Sequence, residues 1–264
     1  MDGLDGMFLY LNNHQTDDTY SRIIIYLLNN RDKIALTNIT DLANNCYVSI
    51  STISRFSKFF GYGSFQLMKE SLKKDPSLDF KLRLNKDNYY NLDHAPEHFL
   101  SDFGNQIIAS IQDTINTVDI NAVDTLIQDI VRYDHVYLFG YDSTLDLLKR
   151  FQSAFLLNNK LLFMAFPDDL QLELSKKLDE NSLCIVVSSY GTFFSKLPEV
   201  ILNITNSKAK TVFLTQGTVN FFTSSFDHTI SISSKPEPVT GNIAMEFFLD
   251  YVTKRSMKLL DSKL

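Results

Sequence analysis

The chain has 264 residues, a mass of 30.3 kDa, 44% hydrophobic and 21% charged side chains, and a net charge of −6. That composition is globular, not disordered, and the length suits two small domains. Its apolar runs are far shorter than the ~20 residues of a membrane helix, and the N-terminus has no basic stretch or small-residue cleavage site of a secretory signal. Two cysteines, Cys46 and Cys184, make no disulfide framework, so a reducing, cytoplasmic setting is expected.

Charge is unevenly spread. Between Asn30 and Lys74 stand seven basic residues, Arg31, Lys33, Arg55, Lys58, Lys69, Lys73 and Lys74. Only Asp32, Asp41 and Glu70 oppose them, so this segment is +4 and the remainder −10. An acidic protein with one basic patch keeps an attraction for phosphate at one end.

Residues from about 4 to 74 are expected to form short helices. Leu4–Leu11 is a weak one; Asp17 and Asp18 begin a stronger one with the apolar stripe Ile23, Ile24, Leu27 and Leu28. Thr37 and Asn38 cap a helix over Ile39–Asn45, and Ser49 caps Ile50–Phe60, which Gly61 ends. A further amphipathic helix covers Ser64–Lys74 through Phe65, Met68 and Leu72. Asp75–Leu92, with Pro76 and mixed charge, marks a linker. Pro96 opens a long helix in which Phe99, Phe103, Ile107, Ile111, Ile115 and Val118 recur at steps of three or four, and Ile120–Arg132 follows. From His135 five short β-rich runs appear: HVYLFG, LLFMAF, SLCIVVSS, TVFLTQ and HTISIS. Helical patterns at Leu145–Asn158, Leu170–Leu178, Phe193–Asn206 and Val219–Phe226 separate them, and Asn242–Leu260 closes the chain. This alternation predicts a parallel five-stranded sheet in a three-layer α/β domain.

The stretch Ile39–Gly61 has helix-turn-helix spacing. Ile39, Leu42 and Ala43 face inward on the first helix, Val48 fills the corner, and Ile53 and Phe56 anchor the second. Ser49 starts that second helix, and Ser51, Thr52, Ser54, Arg55 and Lys58 are left facing outward. Short hydroxyl side chains reach phosphates and base edges, and an arginine reads guanine bidentately, so these six are the candidate DNA-binding residues. A plain α-hairpin with a Ser-rich face is the alternative. Tyr47 stands where a turn glycine is usual, and a positive φ there costs about 1 kcal/mol or more.

The stretch Val48–Leu72, through Arg55–Phe56, Phe60–Gly61–Tyr62 and Phe65…Lys69, resembles the N-terminal domain of RpiR-type transcriptional regulators. The C-terminal half resembles the sugar isomerase (SIS) domain of those proteins, and the likeness spans nearly the whole chain. The resemblance implies a helix-turn-helix domain over 1–75, a linker over 76–95 and a sugar-phosphate-sensing, dimerising domain over 96–264. It also implies a regulator of sugar metabolism that binds a double-stranded operator as a homodimer or higher oligomer, without catalysis, cofactor or membrane.

In an open α/β sheet, ligand sits at the carboxyl ends of strands. The loops concerned are Phe139–Asp146, Val187–Phe194 and Leu214–Phe222. SIS domains resemble one another in a Gly-x-Gly-x-Ser first loop and a Ser-x-Ser-Gly-x-Thr second loop. Gly140, Ser188 and Gly191 keep that pattern; Asp142, Thr144, Tyr190 and Phe193 depart from it. The candidate ligand residues are Gly140, Ser143, Thr144, Ser188, Ser189, Tyr190, Gly191 and Thr192. They fit either a sugar phosphate or a pocket that has changed ligand or kept only a structural role. An Asp142 carboxylate ~5 Å from a phosphate would repel it by about 3 kcal/mol per charge at an effective ε of ~20. Two rivals remain open: a phosphosugar isomerase, for which Glu246 on the last helix is the candidate acid/base, and a regulator whose second domain only dimerises. His94 and His98, four apart, are a candidate metal pair but better read as a surface pair, and no metal site is expected. Cys46 and Cys184 read as packing. His135 and His228 have no nucleophile at triad spacing.

Overall fold

Short helices fixed at their ends by side chains build the first part of the chain. The computed structural model describes residues 3–14, 16–34, 36–74, 91–157, 159–165, 168–217 and 223–261, in two units, Met1–Leu82 and Arg83–Leu264. The first unit holds α1 (Gly3–Asn13), α2 (Thr19–Asn29), α3 (Arg31–Ile34), α4 (Ile39–Asn45), α5 (Ile50–Phe59) and α6 (Phe65–Lys74). Asp18 caps α2 by accepting from the N–H groups of Tyr20 and Ser21 at 2.9 and 3.2 Å. Asn38 caps α4 through the Asp41 N–H at 2.8 Å, while its own amide donates back to the Asp41 carboxylate at 2.6 Å. Each such cap is worth ~1 kcal/mol. The short α3 has no counterpart in the sequence reading. Met7, Ile23, Ile24, Leu42, Ile53 and Phe56 are wholly buried and form this unit's core, with Val48 packed at its edge.

The second unit runs α7 (Pro96–Thr117), α8 (Ile120–Arg132), β1 (His135–Gly140), α9 (Ser143–Leu157), β2 (Phe163–Met164), α10 (Asp168–Ser175), β3 (Ser182–Val187), α11 (Thr192–Lys196), α12 (Pro198–Asn206), β4 (Lys210–Thr215), β5 (His228–Ser231) and α13 (Ile243–Asp261). All five strands pair in parallel, in the order β2-β1-β3-β4-β5. Strand alternation sends Val136, Leu138, Ile185, Val212 and Leu214 to one face, where α8, α9 and α13 cover them. Phe139, Cys184, Val186 and Phe213 go to the other, under Phe193, Val200 and Ile204 of α11 and α12. That is the expected three-layer α/β sandwich.

Several expected elements differ, each for a local reason. The helix expected over Phe193–Asn206 is two helices, because Pro198 at the start of α12 disfavours helical backbone at Leu197, which takes φ −126° and ψ 56°. β2 shrinks to two residues at the sheet edge, and the Leu162 carbonyl just before it bonds the Gln152 side chain at 2.8 Å instead. Of the helix expected over Val219–Phe226, 219–222 lie outside the described residues; Thr223–Ser225 form a single 3-10 turn and the buried Phe226 follows as a bend. Most of the expected linker over 76–95 also lies outside them, though 91–94 are helical.

Candidate functional site

Two places carry the candidate residues, one in each unit. In the first, α4 and α5 meet at a turn that ends α4 with a Schellman motif. The Val48 N–H bonds the Ala43 carbonyl at 2.9 Å and the Tyr47 N–H bonds the Asn44 carbonyl at 3.1 Å. Tyr47 occupies the left-handed position of that motif, at φ 54°, so the turn keeps its form and the tyrosine bears the strain. Gly61 supplies the same position at the end of α5, at φ 75°, with the Tyr62 N–H on the Ser57 carbonyl at 2.9 Å. Ser49 caps α5 by accepting from the Thr52 N–H at 3.1 Å. Its hydroxyl also lies 2.7 Å from that of Ser51 and 2.8 Å from that of Thr52. Ser49, Ser51, Arg55 and Lys58 are exposed, and Thr52 and Ser54 half-exposed, so all six candidates share the outer side of α5. Ser54 turns its hydroxyl back to the Ile50 carbonyl at 3.2 Å. Lys69 reaches the Thr37 carbonyl at 3.2 Å and so braces α6 against the entry to α4.

In the second unit, strand order reverses between β1 and β3, which makes their carboxyl ends the topological switch point. Gly140 ends β1 in close quarters: a Cβ there would lie 3.0 Å from Leu148 Cδ1 and 3.1 Å from Thr144 Oγ1. The buried Gln171 side chain clasps the Gly140 backbone, donating to its carbonyl at 3.0 Å and accepting from its N–H at 3.4 Å. Asp142 takes φ 53°, a conformation glycine adopts freely, and its side chain is exposed. Thr144 is buried, and its hydroxyl is spent on Tyr141, accepting from the N–H at 3.0 Å and donating to the carbonyl at 2.5 Å. Ser143 is exposed and accepts from the Asn242 amide at 2.8 Å.

After β3, Ser188 is buried and its hydroxyl accepts from the Phe193 N–H at 3.2 Å. Ser189 is buried with its hydroxyl unpartnered. Gly191 starts α11 at φ 77°, and Thr192 is exposed. Tyr190 donates its hydroxyl to the carbonyls of Gly241 and Glu237 at 2.8 and 3.0 Å. Burial, with the Glu237 charge, raises its pKa, so the phenol stays a donor. The loops thus bring Gly140, Ser143, Thr144, Ser188, Ser189, Tyr190, Gly191 and Thr192 to one end of the sheet, but the Thr144 and Ser188 hydroxyls serve the loops themselves.

Four further participants are not among the candidate residues. Gln171 and Asn242 come from elements distant in sequence that no local spacing marks, while Gln216 lies in the third candidate loop, Leu214–Phe222. Gln216 donates to the Gly241 carbonyl at 3.1 Å. Lys196 on α11 lies 5.8 Å from the Tyr141 ring centre and brings positive charge beside the first loop.

The remaining candidates fall away from this site. Ala95, at φ −148° and ψ 61°, breaks the helix between His94 and His98, so they share no helical face. Among the described residues no group of three or more His, Cys, Asp or Glu could hold a metal, and no helix is long and apolar enough to cross a membrane. Glu246 pairs with Arg150 across a cavity of about 210 Å³ between α9 and α13. Cys46 and Cys184 are buried; burial pushes the Cys46 thiol up to about 11 and Cys184 well above its ordinary value.

A helix-turn-helix with a polar outer helix, joined to a doubly wound parallel sheet, defines a two-domain protein with a SIS-like second domain. Residues 6–78 match the rpiR-family helix-turn-helix domain. Those residues therefore form an rpiR-family helix-turn-helix domain, and the α/β domain that follows them is SIS-like in fold. An uncharacterized HTH-type transcriptional regulator in the aarA 3' region of Providencia stuartii is 26% identical over 203 residues, covering 75% of this chain and 69% of that one. The fold is shared with Vibrio vulnificus NanR complexed with ManNAc-6P, at 17% identity and a TM-score of 0.52, over 97% of this chain and 91% of that one. A putative phosphosugar isomerase involved in capsule formation from Bacteroides fragilis shares the second domain's fold, at 16% identity and a TM-score of 0.50, over 61% of this chain and 91% of that one.

Proposed function

We propose that this chain is a sequence-specific transcriptional regulator of sugar metabolism that responds to a sugar phosphate or a closely related carbohydrate. The observation that carries the reading is the outer side of α5, where Arg55 and Lys58 are exposed beside the hydroxyls of Ser49, Ser51 and Thr52. In this reading α5 lies in the major groove: Arg55 reads a guanine edge, Lys58 neutralises a phosphate, and the hydroxyls contact phosphates and base edges. One such helix neutralises few phosphates, so useful affinity needs two copies on a paired operator. The long helix α7 offers a surface for that pairing, with Leu100, Ile108 and Ile115 exposed at 71%, 67% and 55%.

The effector site of this reading is the β1/β3 switch point, with Lys196 beside it. The shared fold with a protein complexed with ManNAc-6P supports the choice of a sugar phosphate. Ligand favouring one arrangement of the DNA-binding units would shift operator affinity by population shift. The experiment is selection of operator from random duplexes by the full-length protein at moderate ionic strength, followed by titration with hexose and amino-sugar phosphates. Recovery of one sequence family, with affinity altered by a sugar phosphate, is the expected result. No preferred duplex refutes the DNA reading; silence across the sugar panel refutes the effector. An isomerase assay on the same preparation tests the enzyme alternative, in which Glu246, paired with Arg150, is the candidate acid/base.

A further inference from the structure

Three loops at the switch-point end of the sheet converge on one short segment, 237–242. Tyr190, from the loop after β3, reaches the Glu237 and Gly241 carbonyls. Gln216, from the loop after β4, reaches the Gly241 carbonyl at 3.1 Å. Ser143, at the start of α9, receives the Asn242 amide at 2.8 Å. Gly241 turns the segment with φ 60° and ψ −129°, a conformation essentially confined to glycine. Of these ties only the tyrosine hydroxyl bridges two carbonyls with a single proton, which makes it the contact most easily exchanged for another acceptor. Beside it, Ser189 keeps a buried hydroxyl with no partner, and a buried polar group without a partner is a rarity that asks for a ligand or water.

The residues just before the segment, and Thr240 within it, are tied to α7. Asp113 accepts from the Ser233 hydroxyl at 2.7 Å, the Ser234 N–H and hydroxyl at 2.8 and 2.5 Å, and the Lys235 N–H at 3.2 Å. Thr240 lies 3.5 Å from the Ser110 hydroxyl, also on α7. We propose that residues 237–242 form a lid over the switch-point site, that the Tyr190 hydroxyl is its latch, and that a ligand reaching Ser189 must displace that hydroxyl. The lid is anchored to α7, so opening it changes the packing of that helix. The identity of the ligand rests on the effector reading above; the latch does not.

The test is thiol accessibility at Ser189 in the full-length protein. Ser189→Cys exchanges one small buried group for another and provides a reporter. With the latch intact the reporter reacts slowly with a maleimide, like the buried Cys46 and Cys184. Adding Tyr190→Phe removes only the latching hydroxyl and is expected to speed labelling of the reporter about fivefold to tenfold, the worth of one net hydrogen bond in an opening equilibrium. Labelling of Cys46 and Cys184 stays unchanged. Amide exchange on Tyr190→Phe alone checks the same point without the reporter: 237–242 lose protection and α5 does not. Equal labelling rates with and without the tyrosine hydroxyl, or unaltered exchange at 237–242, would overturn the proposal. Hexose and amino-sugar phosphates that alter amide exchange at 237–242 in the wild-type protein, with Ser189 intact, extend the result to the effector. If none does while the labelling difference stands, the sugar-phosphate reading fails and the latch survives.

Discussion

Asp113 offers the sharpest quantitative test of the second unit. Burial alone would raise its pKa, but the Ser234 and Ser233 hydroxyls and the Lys235 and Ser234 N–H groups outweigh it and hold the carboxyl down at about 2, against an ordinary 3.8. A shift of that size corresponds to ~2.4 kcal/mol at 1.36 kcal/mol per unit. The side chain is only half-buried, so solvent screening reduces this to about 1–2 kcal/mol. A depressed folded pKa gives stability that is complete above the unfolded value and disappears as pH falls through the folded one. Asp113→Asn keeps the shape but turns an amide toward donors, so at pH 7 it should cost about 1–2 kcal/mol. For a domain of this size that lowers the thermal midpoint by ~2–8 °C. Differential scanning of wild type and variant from pH 7 to pH 3 should show the gap narrow below about pH 4, where the unfolded-state carboxyl starts to take up its proton and the wild-type advantage starts to fall. Equal midpoints at pH 7, or a gap that ignores acid, would refute the argument that this carboxylate holds the 233–235 turn.

Other expectations follow from the same contacts. Gly140→Ala places a methyl 3.0 Å from Leu148 Cδ1 and 3.1 Å from a Thr144 hydroxyl already fixed by two bonds, so overpacking should cost ~1–3 kcal/mol in urea unfolding. Tyr47→Gly relieves ~1 kcal/mol or more of left-handed strain and gives back ~0.4–1 kcal/mol to unfolded-chain freedom, so a small rise in the thermal midpoint is expected and a clear fall would contradict the strain. On a selected operator, Arg55→Ala should weaken binding by ~1–3 kcal/mol and relax base preference, as measured by fluorescence anisotropy. Lys58→Ala should weaken all duplexes alike and flatten the salt dependence; identical behaviour of the two variants on operator and random DNA would remove these separate roles.

What was legible in the sequence is what depends on neighbours. The Asn38 and Ser49 caps, the Gly61 stop and the apolar spacing of Leu42, Ala43, Ile53 and Phe56 are local signals, and the structure makes each of them. Strand alternation is local too: Tyr137 and Phe139 go to one face and Val136 and Leu138 to the other, as period two requires. The misread elements are those where a single residue or an edge overrode the pattern. Pro198 cuts an otherwise continuous helical stripe, and β2, with one neighbour, holds only two residues of a six-residue apolar run.

The candidate ligand site was legible only as a set of loops. Its residue types marked Ser143, Thr144, Ser188 and Ser189 as hydroxyl donors, but a hydroxyl's availability depends on what else it touches. Thr144 serves Tyr141 within three residues, a local bond that composition hides, and Ser188 serves Phe193 across the start of α11. The Tyr190 contacts span 47 and 51 residues, and those from Asp113 to the 233–235 turn span about 120. Periodicity and motif spacing act over a turn or two of chain and carry no information at such separations. The same distance explains why the departures from the SIS pattern matter in a way the loops alone cannot express. Tyr190 does more than remove a small hydroxyl from the second loop: its longer reach ties that loop to the approach to α13. Asp142, by contrast, fills a glycine-like backbone position in the first loop with its side chain exposed. On the proposed effector reading, a carboxylate there would disfavour an anionic group and Lys196 would favour one. Comparing the affinity of Asp142→Asn and Lys196→Ala for the same sugar phosphate therefore measures which charge governs entry, with tighter binding expected from the first and weaker from the second.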